Sequence, residues 1–142
     1  MGALAGSVNP ALADCSTPLT TARTVYTFDC VGGELSSRRA FGQPFAAGLP
    51  DGSALDSEGY IWNCRVGGAS VVRFAPDGSV DTVVELPCLA PTSCAFGGDG
   101  LRTLLVTSAR FGLSETQRSD ADQGAVFALE VGVSGRPEYL FG

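Results

Sequence analysis

The run Ala69-Ser70-Val71-Val72-Arg73-Phe74-Ala75-Pro76-Asp77-Gly78-Ser79-Val80-Asp81-Thr82-Val83-Val84-Glu85-Leu86-Pro87 decides the fold. Two β-branched stretches flank Pro76-Asp77-Gly78-Ser79. Proline sets φ for a turn and glycine accepts positive φ, so the run predicts a strand, a hairpin turn and a second strand. Working outward, the same form recurs twice. Residues 23–42 (RTVYTFDCVGGELSSRRAFG) and 124–142 (GAVFALEVGVSGRPEYLFG) each place a glycine-containing turn after a phenylalanine. Phe28, Phe74 and Phe127 are 46 and 53 residues apart.

Each hairpin follows two further strand-like pieces. For the second copy these are Ser53–Asp56 and Tyr60–Cys64; for the third, Ser93–Phe96 and Leu101–Ser108; for the first, the weaker Ala3–Val8 and Ala11–Cys15. A four-strand unit at this period is the signature of a β-propeller blade. The expectation is an all-β chain of three four-stranded blades, at about 1–48, 49–89 and 90–142, forming one half-propeller domain over residues 1–142. Arg110–Gln123 reads as a surface loop, and no helical periodicity is found. Known propellers close with about 4–8 blades. Three blades therefore imply a piece of a longer protein, or a homodimer that closes a six-bladed ring.

Composition narrows the chemistry. The chain has 142 residues, nine basic and 15 acidic, with no histidine, and all nine cations are arginine. The missing histidine excludes Ser-His-Asp and Cys-His nucleophile systems and histidine-ligated zinc. A net charge of −6 argues against a nucleic-acid partner, the nearest basic cluster being Arg38-Arg39. No apolar run approaches the ~20 residues of a membrane helix, and the start lacks a basic n-region. Cys15, Cys30, Cys64, Cys88 and Cys94 include no C-x-x-C pair and read as reduced thiols of a cytoplasmic protein.

Residues 49–65, Leu49-Pro50-Asp51-Gly52-Ser53-Ala54-Leu55-Asp56-Ser57-Glu58-Gly59-Tyr60-Ile61-Trp62-Asn63-Cys64-Arg65, carry a more specific pattern. So do Gly67-Gly68 with Val72-Arg73-Phe74, and Pro91-Thr92-Ser93-Cys94-Ala95-Phe96-Gly97-Gly98 followed by Val106-Thr107-Ser108-Ala109-Arg110. In this order, and with Gly124-Ala125-Val126-Phe127 and Val25-Tyr26-Thr27-Phe28-Asp29, they resemble the regucalcin / senescence marker protein / gluconolactonase family over about residues 23–142.

The resemblance implies the C-terminal half of a six-bladed propeller. It implies a metal-dependent hydrolase of sugar lactones, with one divalent cation, calcium or zinc, at the channel mouth. Of the family's ligands, a glutamate, an asparagine and the aspartate of Pro-Asp-Gly, only the last has a counterpart here, Asp51. Asn9 is out of register for the asparagine. Asp51 is thus the candidate metal ligand and the candidate catalytic general base. Pro-Asp-Gly is also a common turn, which is the other reading of Asp51 and the reading of Asp77. With one ligand the lone chain is expected to be incomplete or inactive. The alternative is a non-catalytic half-propeller, assembled as a homodimer, that binds a cation, a sugar lactone or a small acid. Other motifs carry less. Asp120-Ala121-Asp122-Gln123-Gly124 lacks the glutamate of a calcium loop. Cys94 has no activating base and reads as packing, Gly97–Gly100 as a tight turn, and Trp62 as packing between blades. Asn63 and Arg65 fall on the other face of that strand, with no assignment relative to the channel.

Overall fold

The computed structural model describes residues 24–31, 34–42 and 44–137. Asn9, Cys15, the pieces predicted at Ala3–Val8 and Ala11–Cys15, and the last strand of the third copy lie outside the described residues. Among the described residues, nine strands form three antiparallel sheets. β1 (Val25–Val31) pairs with β2 (Glu34–Phe41). β3 (Leu49–Leu55), β4 (Ile61–Val66), β5 (Ser70–Phe74) and β6 (Val80–Glu85) make a four-stranded meander. β7 (Pro91–Gly97), β8 (Thr103–Ser108) and β9 (Val126–Glu130) make a three-stranded one. The architecture is that of a partial β-propeller. The second copy has its four strands; among the described residues the first shows two and the third shows three.

The hairpin between β5 and β6 turns as its residues dictate. Gly78 has φ +85° and the Asp77 carboxylate accepts from Ser79 N at 2.9 Å, so Asp77 is a turn residue. Two strands begin earlier than their apolar runs suggest. β3 starts at Leu49 rather than Ser53 because a bulge falls between Pro50, opposite Arg65, and Ser53, opposite Asn63. β7 starts at Pro91 for the same reason, with its own irregularity between Pro91 and Ser93. The surface loop also holds a helical turn, α1 (Glu115–Arg118), too short to show a helical period. Its signal was the capping box Ser114-x-x-Gln117, closed in both directions. None of the described helices is long and apolar enough to cross a membrane.

The second and third sheets pack face to face. Their shared core holds Ala54, Trp62, Cys64, Val71, Leu86, Cys88, Cys94, Leu104 and Val106, with Phe96, Phe127 and Leu129 at its margin. Trp62 meets Phe96 edge-on, ring centroids 6.3 Å apart at 83°, so it does pack between the two sheets. Cys64, Cys88 and Cys94 are buried free thiols. The Cys64 thiol is pushed far above its ordinary value by its hydrogen bond with Cys94 and then by burial, which leaves it inert. Cys94 serves as packing and donates to the Trp62 carbonyl at 3.4 Å. Arg38 and Arg39 are both engaged within the first hairpin. Arg39 pairs with Asp29 at 2.6 Å and Arg38 lies 4.4 Å from the Tyr26 ring centroid.

One carboxylate ties the sheets together. Asp56, only 1% exposed, accepts from Glu58 N (3.0 Å), Tyr60 N (2.9 Å), Trp62 Nε1 (3.0 Å), Arg73 Nε (2.9 Å) and Arg73 Nη2 (2.7 Å). Arg73 also reaches Glu58 and Asp81 and stacks 3.8 Å over the Tyr60 ring. The segment after β9 docks on this corner. Asp56 and Gly135 form a β-bridge, Ser57 N donates to Ser134 O (2.9 Å), and Arg136 N donates to Leu55 O (3.0 Å). Only glycine fits at 135, because any Cβ there would fall inside the Phe96 side chain.

Removing one partner of a buried ion pair leaves its counterion and its hydrogen-bond donors unsatisfied. Asp56→Ala is expected to cost about 3–5 kcal/mol in urea unfolding. Asp81→Ala, on the exposed flank of the same arginine, is expected to cost under about 1 kcal/mol. Equal losses in the two variants would contradict this assignment.

Candidate functional site

Asp51 leaves β3 at its bulge. Two residues, Asp51 and Gly52, face one on β4 between the Pro50–Arg65 and Ser53–Asn63 pairs, so Asp51 stands out of the regular ladder. The residue is exposed, yet partial desolvation raises its carboxyl above the ordinary aspartate value, with the Gly52 amide pulling the other way. A carboxylate held this way can accept a proton from water nearer to neutrality than a free one.

The two polar residues of β4 lie directly behind it. All of Ile61 to Arg65 is buried. Trp62 and Cys64 face the third sheet, and Asn63 and Arg65 face away from it. Asn63, 1% exposed, donates through Nδ2 to the Asp51 carbonyl (2.8 Å) and to Ser53 Oγ (2.8 Å). Its Oδ1 accepts from Arg65 Nη1 at 3.0 Å. Arg65, 2% exposed, donates to Phe45 O (3.1 Å), Ala47 O (3.3 Å) and Gly48 O (3.4 Å), and lies 5.3 Å from the Phe45 ring centroid. These contacts give Asn63 and Arg65 the place that sequence alone withheld. The signal available was a pair of polar residues two apart in an otherwise apolar strand.

The third sheet presents a corresponding rim. Thr92 sits at the irregularity after Pro91, as Asp51 does after Pro50, and its Oγ1 lies 2.9 Å from Thr107 Oγ1. The other candidates are not brought to Asp51. Asp120 and Asp122 are exposed, and Asp120 accepts from the Asp122 amide at 3.0 Å in a local turn. A groove lined by Ser57, Glu58, Arg102, Glu130, Val133 and Ser134 lies beyond the far end of β3. The implied divalent cation finds an oxygen donor of the right hardness in Asp51. However, no group of three or more Cys, Asp or Glu side chains that could hold a metal occurs among the described residues. The described residues by themselves do not compose that site.

Comparison with known proteins places these features in a lineage. The model of the SMP-30/Gluconolactonase/LRE-like region matches residues 19–110. A 6-deoxy-6-sulfogluconolactonase of Pseudomonas putida is 44% identical over 97 residues, which are 68% of this chain and 33% of that protein. Pentonolactonase XacC of Haloferax volcanii is 40% identical over 129 residues, 84% of this chain and 44% of its own. A solved structure from Agrobacterium tumefaciens, described as a calcium-binding protein, regucalcin, superposes with a TM-score of 0.79 at 32% identity. That superposition covers 87% of this chain and 43% of the other. The chain thus spans a third to under half of the length of these relatives.

The position of Asp51 depends on its neighbour. Gly52 packs on β7 so closely that a Cβ would lie 2.7 Å from Ser93 Cα and closer still to Ser93 Oγ. Gly52→Ala is expected to lower stability by about 1–3 kcal/mol through overpacking. Adding Ser93→Gly, which removes the struck hydroxymethyl, is expected to recover part of that loss. Thermal melts of the single and double variants measure both, and strict additivity would show that the two strands do not meet here.

Proposed function

Because the chain belongs to the SMP-30/gluconolactonase/LRE-like family, we propose that it forms the part of a sugar-lactone hydrolase that carries the general base, Asp51. The observation that supports this is the placement of Asp51 on a buttressed bulge of β3, exposed and with a raised carboxyl. In lactone hydrolysis water attacks the carbonyl carbon, and the ring C–O bond breaks from the tetrahedral intermediate. The Asp51 carboxylate takes the proton from the attacking water. It then returns that proton to the departing ring alkoxide, and the aldonic acid leaves. The base works only when ionised, so the rate rises with pH and levels off above a midpoint displaced upward from the ordinary aspartate range. Calcium or zinc would gain one carboxylate ligand here, and the proposed steps do not run through it. The buried free thiols Cys64, Cys88 and Cys94 favour a reducing, cytoplasmic compartment.

The relatives' names point to five- and six-carbon aldonolactones as the substrate class to assay. Asp51→Asn is expected to lower kcat by about 10²–10⁴-fold with the melting temperature unchanged. An Asp51→Asn protein as active as the wild type would remove Asp51 from the reaction. A wild-type chain with no lactonase activity would overturn the catalytic reading for the lone chain.

One observation favours a second reading. The outer face of the third sheet leaves Leu105 41% and Val126 67% exposed, and Phe111, in the loop that follows β8, is 65% exposed. Apolar side chains in this position suit packing against another sheet. On this reading two chains associate, face to hairpin, and the assembly binds a cation or small acid without catalysis. Light scattering is expected to give twice the mass of 14.5 kDa. A stable monomer at micromolar concentration, unchanged by Leu105→Glu, would dispose of it.

A further inference from the structure

Asn63 and Arg65 have no part in the chemistry proposed for Asp51, yet they are among the most deeply buried polar side chains of the described chain. Burying a guanidinium and a carboxamide on one strand costs free energy unless each donor is met. Here the donors converge on one place. Arg65 gathers the carbonyls of Phe45, Ala47 and Gly48, the segment entering β3, and passes one hydrogen bond to Asn63 Oδ1. That bond fixes the carboxamide orientation, because Oδ1 is committed to an arginine that can only donate. Nδ2 must then point at β3, where it meets the Asp51 carbonyl and Ser53 Oγ. The bulge takes the Asp51 carbonyl out of the regular ladder, and the Asn63 amide stands in for the missing backbone donor.

We infer that Asn63, oriented by Arg65, is a positioning residue that fixes the backbone from which the Asp51 carboxylate projects. Its importance for catalysis rests on the lactonase reading; the geometric claim does not. Arg65 acts on the bulge through this relay, its guanidinium meeting three main-chain carbonyls and Asn63 Oδ1. Gly52, pressed on Ser93, closes the other side, so the bulge is held between β4 and β7.

Asn63→Asp separates positioning from simple support. The aspartate keeps the size and the Arg65 contact, now strengthened by charge; it loses the donor to the Asp51 carbonyl, while the Ser53 hydroxyl can turn to donate to the new oxygen. Residue-resolved hydrogen exchange is expected to show the Gly52 and Ser53 amides exchanging about tenfold faster. Amides of β5, β6 and β8 should be unchanged, and the melting temperature should fall by only the few degrees that one unsatisfied buried acceptor costs. Asn63→Ser, too short to reach the carbonyl, carries the same test if the aspartate variant does not fold. Exchange accelerated equally over β3 to β6 would overturn the inference and leave Asn63 as general support. Unchanged Gly52 and Ser53 exchange would overturn it as well. If lactone hydrolysis is measurable, kcat is expected to fall in Asn63→Asp with KM unchanged. A wild type without activity removes the lactonase reading while the exchange result still decides the geometry.

Discussion

The structure depends first on a single buried carboxylate meeting five donors. Desolvating Asp56 would cost several kcal/mol if it stood alone. It does not stand alone: two turn amides, one indole and two guanidinium nitrogens all point to it. The five donors belong to three structural tasks. The Glu58 and Tyr60 amides close the turn from β3 to β4. The Trp62 indole sets the ring that packs on Phe96. Arg73 brings in β5. One group therefore specifies a turn, a sheet and an inter-sheet contact, and the segment at Ser134–Arg136 docks against the corner so made. The spacing Asp56-x-x-Gly59-x-x-Trp62 is then a folding device, since Asp56 must reach both the turn amides and the indole.

What could be read from sequence follows the range of the physics. Hairpins are local events, so Pro76-Asp77-Gly78 announced its turn and the repeat announced the propeller. Strand starts were misjudged where a bulge intervened, because β-branched patterning does not register Pro50-Asp51-Gly52 or Pro91-Thr92 as strand. The turn at Glu115–Arg118 was missed because four residues show no period; only its cap carried a signal. The motif around Asp51 singled it out as a candidate, while the partners that hold its backbone could not be read. β4 is the reason. A strand buried on both faces has no solvent side, so alternation cannot say what Asn63 and Arg65 touch.

β4 also explains how polar groups are distributed along the second sheet. Its middle is apolar on the side of the third sheet, through Trp62 and Cys64 against Cys94 and Phe96. The buried side-chain hydrogen bonds gather into two groups toward the ends of β3, about 15 Å apart along a strand of this length. At one end Asp56 clasps the return of the third repeat. At the other, Arg65 and Asn63 hold the bulge. An apolar seam alone resists separation of the sheets but tolerates sliding, because burial is non-directional. The main-chain bonds from Leu55 and Ser57 to the Ser134–Arg136 segment at one end, and the close packing of Gly52 on Ser93 of β7 at the other, remove that freedom.

That division bears on how a surface carboxylate can be precise. Asp51 is exposed, and exposed side chains on loops lose orientation to entropy. Its backbone is different: it is part of a strand, its carbonyl is bonded from β4, and the next residue touches β7. The side chain therefore has freedom only about its own bonds, while its root stays in place. A loop aspartate in an ordinary Pro-Asp-Gly turn, such as Asp77, has no such second layer; its carboxylate is consumed by the Ser79 amide and hydroxyl. The same tripeptide thus yields a spent acceptor at Asp77 and an available carboxylate at Asp51. What separates them is whether buried partners outside the turn take over the work of holding the backbone.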